Sequence, residues 1–179
     1  PDAAALQACA AFLEAQPDGQ VLAFCGSFPG WNDPAGAPLR AALERWNARG
    51  VLVADTYGPP LAWAAARPLA LVKVNADEVR SIGATDTLAA GHPTVVQRWV
   101  VSDGPRPIWV RDEAGQSHTL TPPVVREVSA TGSGDVLLAC VLHAWLVRGL
   151  PLLGAVQFAL PYAAANAAHP GIAEFTEPA

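Results

Sequence analysis

Ala130-Thr131-Gly132-Ser133-Gly134-Asp135 runs straight into the apolar stretch Val136-Leu137-Leu138-Ala139-Cys140-Val141-Leu142. This order predicts a glycine-rich turn that opens a buried helix. Two glycines let the backbone turn tightly and aim several N–H groups at one point. N–H groups in a helix's first turn lack partners, and the helix dipole adds partial positive charge there. An anion is the natural guest. Asp135 is then the odd residue, because a carboxylate repels an anion. It makes sense as a base that takes a proton while an anionic group is transferred. A plainer reading also fits these six residues: Asp135 caps the helix and the glycines turn the chain. The two readings stay open at this point.

Working outward, 179 residues suffice for one domain with a real core. A composition 51% hydrophobic and 15% charged belongs to a globular chain rather than a disordered one. The net charge of -5 and the lack of any basic block argue against a nucleic-acid surface. Pro, Gly or charge interrupts every apolar stretch before it reaches bilayer-spanning length, so no membrane helix is expected. No signal peptide is visible at the start. Cys9, Cys25 and Cys140 are scattered among apolar residues. They read as buried thiols in a reducing cytoplasm, without zinc-ligand spacing. His92, His118, His143 and His169 are isolated, and no metal role is expected of them. The chain starts at Pro1 and contains no Met, so an incomplete product is expected. A fragment, a processed chain and a sequence stripped of modified methionines all fit.

Residues 3–15 are Ala-rich with helical spacing of apolar residues, and Pro17-Asp18-Gly19 ends that helix. Val21-Leu22-Ala23-Phe24-Cys25 reads as a buried strand. Gly26-Ser27-Phe28-Pro29-Gly30 follows at its C-terminal end, the edge where parallel α/β sheets bind ligands. Ser27 is a candidate contact there, although a plain loop is the simpler reading. Residues 35–48 form the next helix, with Leu39, Leu43 and Trp46 on one face. Val51-Leu52-Val53-Ala54-Asp55 is a second buried strand, and it puts a carboxylate at the same edge. Asp55 either faces a ligand or caps the loop before Thr56. A short helix over 59–66 and a strand over Leu69–Val74 follow. Asn75 and Glu78 then have the spacing of a helix capping box. Residues 85–92 suggest a short helix, and 95–102 a strand ending at Ser102-Asp103-Gly104. Residues 107–111 and 116–121 flank Asp112-Glu113-Ala114-Gly115 as a hairpin. The central helix is expected from Gly132 to Arg148 with Gly149 closing it, and a last helix over 151–168 contains Pro161. Trp46 and Trp145 fit helix core faces, and Trp31 reads as packing. The alternation predicts one α/β layered domain over 1–179 with a mainly parallel sheet.

Four landmarks in order resemble the C-terminal part of the PfkB (ribokinase-like) carbohydrate kinases. Gly26-Ser27-Phe28-Pro29-Gly30 is similar to that family's G-S-L-P loop. Val53-Ala54-Asp55-Thr56-Tyr57-Gly58 is similar to its D-x-S-G strand end. Val72 to Glu78 is similar to K-P-N-x-x-E, with Val74 in place of Pro. Ser129 to Asp135 is similar to D-T-x-G-A-G-D, with Ser129 for the first Asp and Ser133 for Ala. Val101-Ser102-Asp103-Gly104 also suits the family's S-x-G turn. These variations are closest to 1-phosphofructokinase and tagatose-6-phosphate kinase.

The resemblance implies a three-layer ribokinase-like sandwich lacking the family's N-terminal part and lid, which carry most sugar contacts. It implies ATP-dependent phosphoryl transfer to a sugar or sugar phosphate in the cytoplasm, with Mg2+. Gly132, Ser133 and Gly134 would form the anion hole, and Asp135 would be the base. Asn75 and Glu78 would sit near the nucleotide phosphates, with Glu78 acting indirectly on the metal. Ser102, Gly104, Ala164 and Asn166 would line the nucleotide site, leaving Ser27 and Asp55 on the substrate side. The family's dimers often form through the lid, so a lidless chain can differ, and a homodimer stays open. A different class also fits: a degenerate, non-catalytic kinase-like domain that binds nucleotide or a protein partner. The missing half, Ala130 and Val74 favour it, and the retained Asp135 disfavours it.

Overall fold

The computed structural model describes residues 2–85, 88 and 94–176. In chain order, α1 is Ala3–Glu14, β1 Val21–Gly26, α2 Ala37–Arg49, β2 Val51–Thr56, α3 Pro59–Ala65, β3 Leu71–Asn75 and α4 Ala76–Ser81. Then come β4 Trp99–Asp103, β5 Arg106–Arg111, β6 Ser117–Leu120, α5 Ser133–Leu142 and α6 Leu152–Ala167. The short helix read over 85–92, with His92, falls largely outside the described residues.

The six strands form one sheet in sequential order, parallel from β1 to β4 and antiparallel from β4 to β6. Strand period 2 sorts the side chains into two cores. Leu52, Ala54, Val72, Val74 and Trp99 pack on the face that carries α1 to α3. Val53, Leu71, Val100, Ile108 and Val110 pack beneath α5 and α6 on the other face. Helices on both faces of a mostly parallel sheet make the expected α/β sandwich. The C-terminal ends of β1 to β4 share one edge, and the Gly132 turn opens α5 there.

Three expectations need correction. The first concerns β1, read as buried: only Phe24 is buried along it. β1 is the sheet's edge in this chain, and the α5–α6 layer covers β2 to β5 but not β1. Its Ala23 and Cys25 side therefore lacks a cover. The second follows from the same geometry: Cys9 and Cys25 are exposed, and only Cys140 is half-buried. The third is the central helix, which stays α-helical only to Leu142. His143–Val147 widens into a π-helical turn, with the Arg148 N–H donating to the His143 carbonyl at 3.1 Å. Gly149 follows in the left-handed conformation, as a helix end favours.

The hairpin between β5 and β6 is pinned by Asp112. Its carboxylate accepts the N–H groups of Ala114 and Gln116 at 2.9 and 2.8 Å, and it meets His118 Nε2 at 2.6 Å. Burial pushes the Asp112 carboxyl up, but the bonds from His118, Gln116 and Ala114 outweigh it and hold the group below its usual value. Asp112→Ala is expected to cost about 1–3 kcal/mol in urea unfolding at pH 7. A depressed carboxyl stabilises the fold fully above its unfolded pKa of about 3.9, and that stability is lost as pH falls through the folded value. The gap between Asp112→Ala and the unaltered chain should therefore narrow below about pH 4. A gap that holds constant on acidification would remove Asp112 as the pin.

Candidate active site

The turn before α5 needs its first glycine twice over. Gly132 has φ +78°, and a Cβ there would lie 2.4 Å from Ile172 Cγ2. The Ser133 N–H donates to the Ala130 carbonyl at 3.1 Å, and the Val136 N–H closes the first helical bond to Gly132 at 2.9 Å. Among the described residues, the N–H groups of Gly132, Gly134 and Asp135 have no partner. Asp135 is exposed in the first turn and makes no capping bond. The plainer reading, in which Asp135 caps the helix, therefore has no hydrogen bond behind it.

Asn166 braces this turn from within. It is fully buried, and its Nδ2 donates to the Thr131 carbonyl and to Ser133 Oγ, both at 2.9 Å. Its Oδ1 accepts the Ala173 N–H at 2.8 Å. Those bonds use both amide hydrogens and an oxygen lone pair. The resemblance puts Asn166 on the nucleotide; here its side chain faces the protein, because the tail after α6 folds back over it. Ala164 is buried as well. Asn166→Ala is expected to lower stability by about 1–3 kcal/mol, since it removes three hydrogen bonds made by a fully buried side chain. It should also weaken nucleotide binding by loosening the turn. Unfolding and titration both unchanged would show that the brace is dispensable.

β2 and β3 supply the charges beneath the turn. The Lys73 Nζ donates to Asp55 Oδ2 at 2.7 Å, with side chains 7% and 12% exposed. A Cβ on Gly134 would lie 2.7 Å from the same ammonium, so a side chain there would push the tip of Lys73 aside. Cys25 pairs in register with Asp55 on the neighbouring strand. Burial pushes the Asp55 carboxyl up; Lys73 opposes this and Asp135 adds to it. Burial also pushes up Glu78, with Asp55 contributing. Asp55 thus sits between Lys73 and Asp135 and acts on Glu78.

Asn75 and Glu78 form the expected capping box. The Glu78 N–H donates to Asn75 Oδ1 at 2.9 Å, and the Asn75 N–H donates to Glu78 Oε2 at 2.8 Å. Asn75 Nδ2 and Glu78 Oε1 take no part in the box. Ser102 pairs with Asn75 across β3 and β4, and its hydroxyl donates to the Val74 carbonyl at 3.3 Å. Gly104 has φ +56° at the exposed turn between β4 and β5. Ser27 is exposed on the loop after β1, which Thr56 ties down by donating its hydroxyl to the Gly26 carbonyl at 2.6 Å. Trp31 is packing, as expected: it is buried among Phe24, Phe28 and Trp63.

Lys73 was not singled out as a site residue by the sequence reading. The signal was present: it is a lone charge inside Leu69-Ala70-Leu71-Val72-Lys73-Val74, on the same strand face as Leu71.

Residues 18–179 match the profile of the pfkB family of carbohydrate kinases. The chain belongs to that family. Phosphofructokinase-2 from Escherichia coli in complex with potassium superposes with a TM-score of 0.76 at 19% identity, covering 93% of this chain and 56% of its own. Fructokinase from Vibrio cholerae O395, bound to fructose, ADP and calcium ion, gives 0.66 at 17% identity, covering 91% and 60%. Aminoimidazole riboside kinase from Salmonella enterica, with aminoimidazole riboside and an ATP analogue, gives 0.68 at 19%, covering 90% and 61%. At such identities the likeness shows the fold. The chain thus spans somewhat over half the length of these kinases. A search of curated proteins gives no match. Among the described residues, no helix is long and apolar enough to cross a membrane.

Proposed function

We propose that this chain is the nucleotide- and base-bearing portion of an ATP-dependent kinase acting on a hydroxyl of a sugar or sugar phosphate. One observation carries the reading: among the described residues, an unbonded, exposed Asp135 closes a glycine turn at which the N–H groups of Gly132, Gly134 and Asp135 are free, beside the buried Lys73 ammonium. Phosphoryl transfer depends on positioning and charge neutralisation more than on covalent help from the protein. The free N–H groups of Gly132, Gly134 and Asp135 would hold the oxygens of the transferring group, with the dipole of α5 behind them. Asp135 would accept the proton of the sugar hydroxyl as its oxygen forms the new bond to the γ-phosphorus. The bond from that phosphorus to the β,γ-bridging oxygen breaks, and ADP leaves with the electron pair.

Asn75, Ser102 and Gly104 lie at the strand ends on the nucleotide side of this scheme, and Asp55 and Ser27 lie on the sugar side. Among the described residues, no group of three or more His, Cys, Asp or Glu could hold a metal alone. That suits Mg2+ arriving with ATP, since this ion keeps several waters and binds mainly through phosphates plus one or two carboxylates. Glu78 would act on that ion indirectly, and the ion would neutralise charge on the phosphate oxygens.

A second reading, a non-catalytic kinase-like domain, is favoured by Val74, which stands where the K-P-N-x-x-E pattern has Pro. The test is ADP release from Mg-ATP against a panel of hexoses, hexose phosphates and ribose. Sugar-dependent release would support the kinase and name its substrate class. No release from the full-length protein would favour the second reading.

A further inference from the structure

We infer that the outer cleft between α5 and α6 binds a small aromatic carboxylate, a planar ring system carrying one negative charge. The inference stands apart from the kinase reading. The cleft holds about 510 Å³, within the range of small-ligand sites, and is lined by Ala139, Cys140, His143, Arg148, Phe158 and Tyr162. It opens around the end of α5 remote from the anion turn: His143 lies eight residues beyond Asp135, or about 12 Å along the helix. One wall is aromatic. Phe158 and Tyr162 share a face of α6, with ring centroids 5.1 Å apart, and the His143 ring lies 6.2 Å from that of Phe158. The opposite side is small, with an exposed Ala139 and a half-buried Cys140. A flat ring fits between them, and stacking on Phe158 or Tyr162 would hold it.

The π-helical turn supplies the charged end. On an α-helix, residues five apart point about 140° away from each other. The bond from the Arg148 N–H to the His143 carbonyl at 3.1 Å instead brings the two residues to one side. Both then reach the same ring, with Arg148 Cζ 4.7 Å from the Phe158 centroid. Such turns are rare and recur at functional sites. Among the described residues, the Arg148 guanidinium makes no hydrogen bond or ion pair, and no Asp or Glu lines the cleft. A guanidinium is a planar fork of N–H donors that matches a carboxylate with two parallel bonds. One fixed cation balances the single charge of a carboxylate, whereas a phosphate brings about two.

The test is a titration of this chain with naphthoate, read from the backbone amide signals in NMR. Naphthylmethanol keeps the rings without the charge, and acetate keeps the charge without the rings. Naphthoate is expected to bind with a dissociation constant of about 1 mM or tighter. Its shifts should centre on the six lining residues, and each control should bind about tenfold more weakly or worse. Arg148 is exposed, so Arg148→Gln should leave the fold intact. It should weaken naphthoate about 10- to 100-fold, through loss of a charge-assisted fork. Ala139→Trp, also at an exposed position, should fill the cleft and abolish the shifts. Equal binding of the alcohol, unaltered affinity in Arg148→Gln, or no binding at all overturns the inference. So do shifts of these amides that follow chain concentration alone, which would make the cleft a contact between copies.

Discussion

Asp135→Asn in the full-length protein is expected to lower sugar-dependent turnover by about 10²- to 10⁴-fold, the usual contribution of a positioned base. ATP affinity should stay within about threefold, because an exposed carboxylate beside an anion site does not attract the nucleotide. The asymmetry follows from the geometry. Asp135 makes no hydrogen bond or ion pair among the described residues, so its replacement by an isosteric amide disturbs no structural partner. Its backbone N–H, one of the three free donors at the turn, is retained in the variant. Asn cannot take up the hydroxyl proton. Turnover measured by ADP release and affinity measured by titration separate the two effects. Unchanged turnover would sink the assignment of the base.

Gly132→Ala is expected to harm both stability and binding. At φ +78° an alanine carries a left-handed penalty of about 1–2 kcal/mol. Its Cβ would also arrive 2.4 Å from Ile172 Cγ2, so the Ile172 side chain must move. Overpacking of this kind adds about 1–3 kcal/mol. The tail that carries Ile172 supplies the Ala173 N–H to Asn166, and Asn166 holds Thr131 and Ser133. Displacement of Ile172 thus reaches the donors of the anion hole by two routes. A stability loss of about 2–5 kcal/mol and at least tenfold weaker Mg-ATP binding are expected. Urea unfolding and titration check them. Near-normal values in both would mean that the turn relaxes freely and is not a preorganised anion site.

Local features of the site were legible in the chain. The glycine turn and its helix appear at Gly132 because left-handed φ, free N–H groups and an apolar run are all written in adjacent residues. The capping box of Asn75 and Glu78 was readable for the same reason: both partners lie within one helical turn. The hairpin around Asp112 was readable through its turn residues, although the bond from His118 was not. The burial of β1 was misread, since a short apolar run looks the same at an edge and at the centre of a sheet. The π-helical turn at His143 left no mark, because Leu142 to Arg148 suits an ordinary helix equally well.

Sequence alone determined the strand–helix alternation, the parallel strand ends that gather the candidate ligand residues, and the family to which the chain is similar. Each rests on periodicity, turn chemistry or motif order, which neighbouring residues carry. Tertiary structure alone decided that Lys73 lies under Gly134 with Asp55 as partner, and that Asn166 turns inward to hold the anion turn. It also decided that Cys25 and Ala23 lie uncovered. The physical reason is range. Lys73 and Gly134, or Thr131 and Asn166, are distant in the chain and meet only after two layers have packed on the sheet, and packing is what sets the burial and charge of each group.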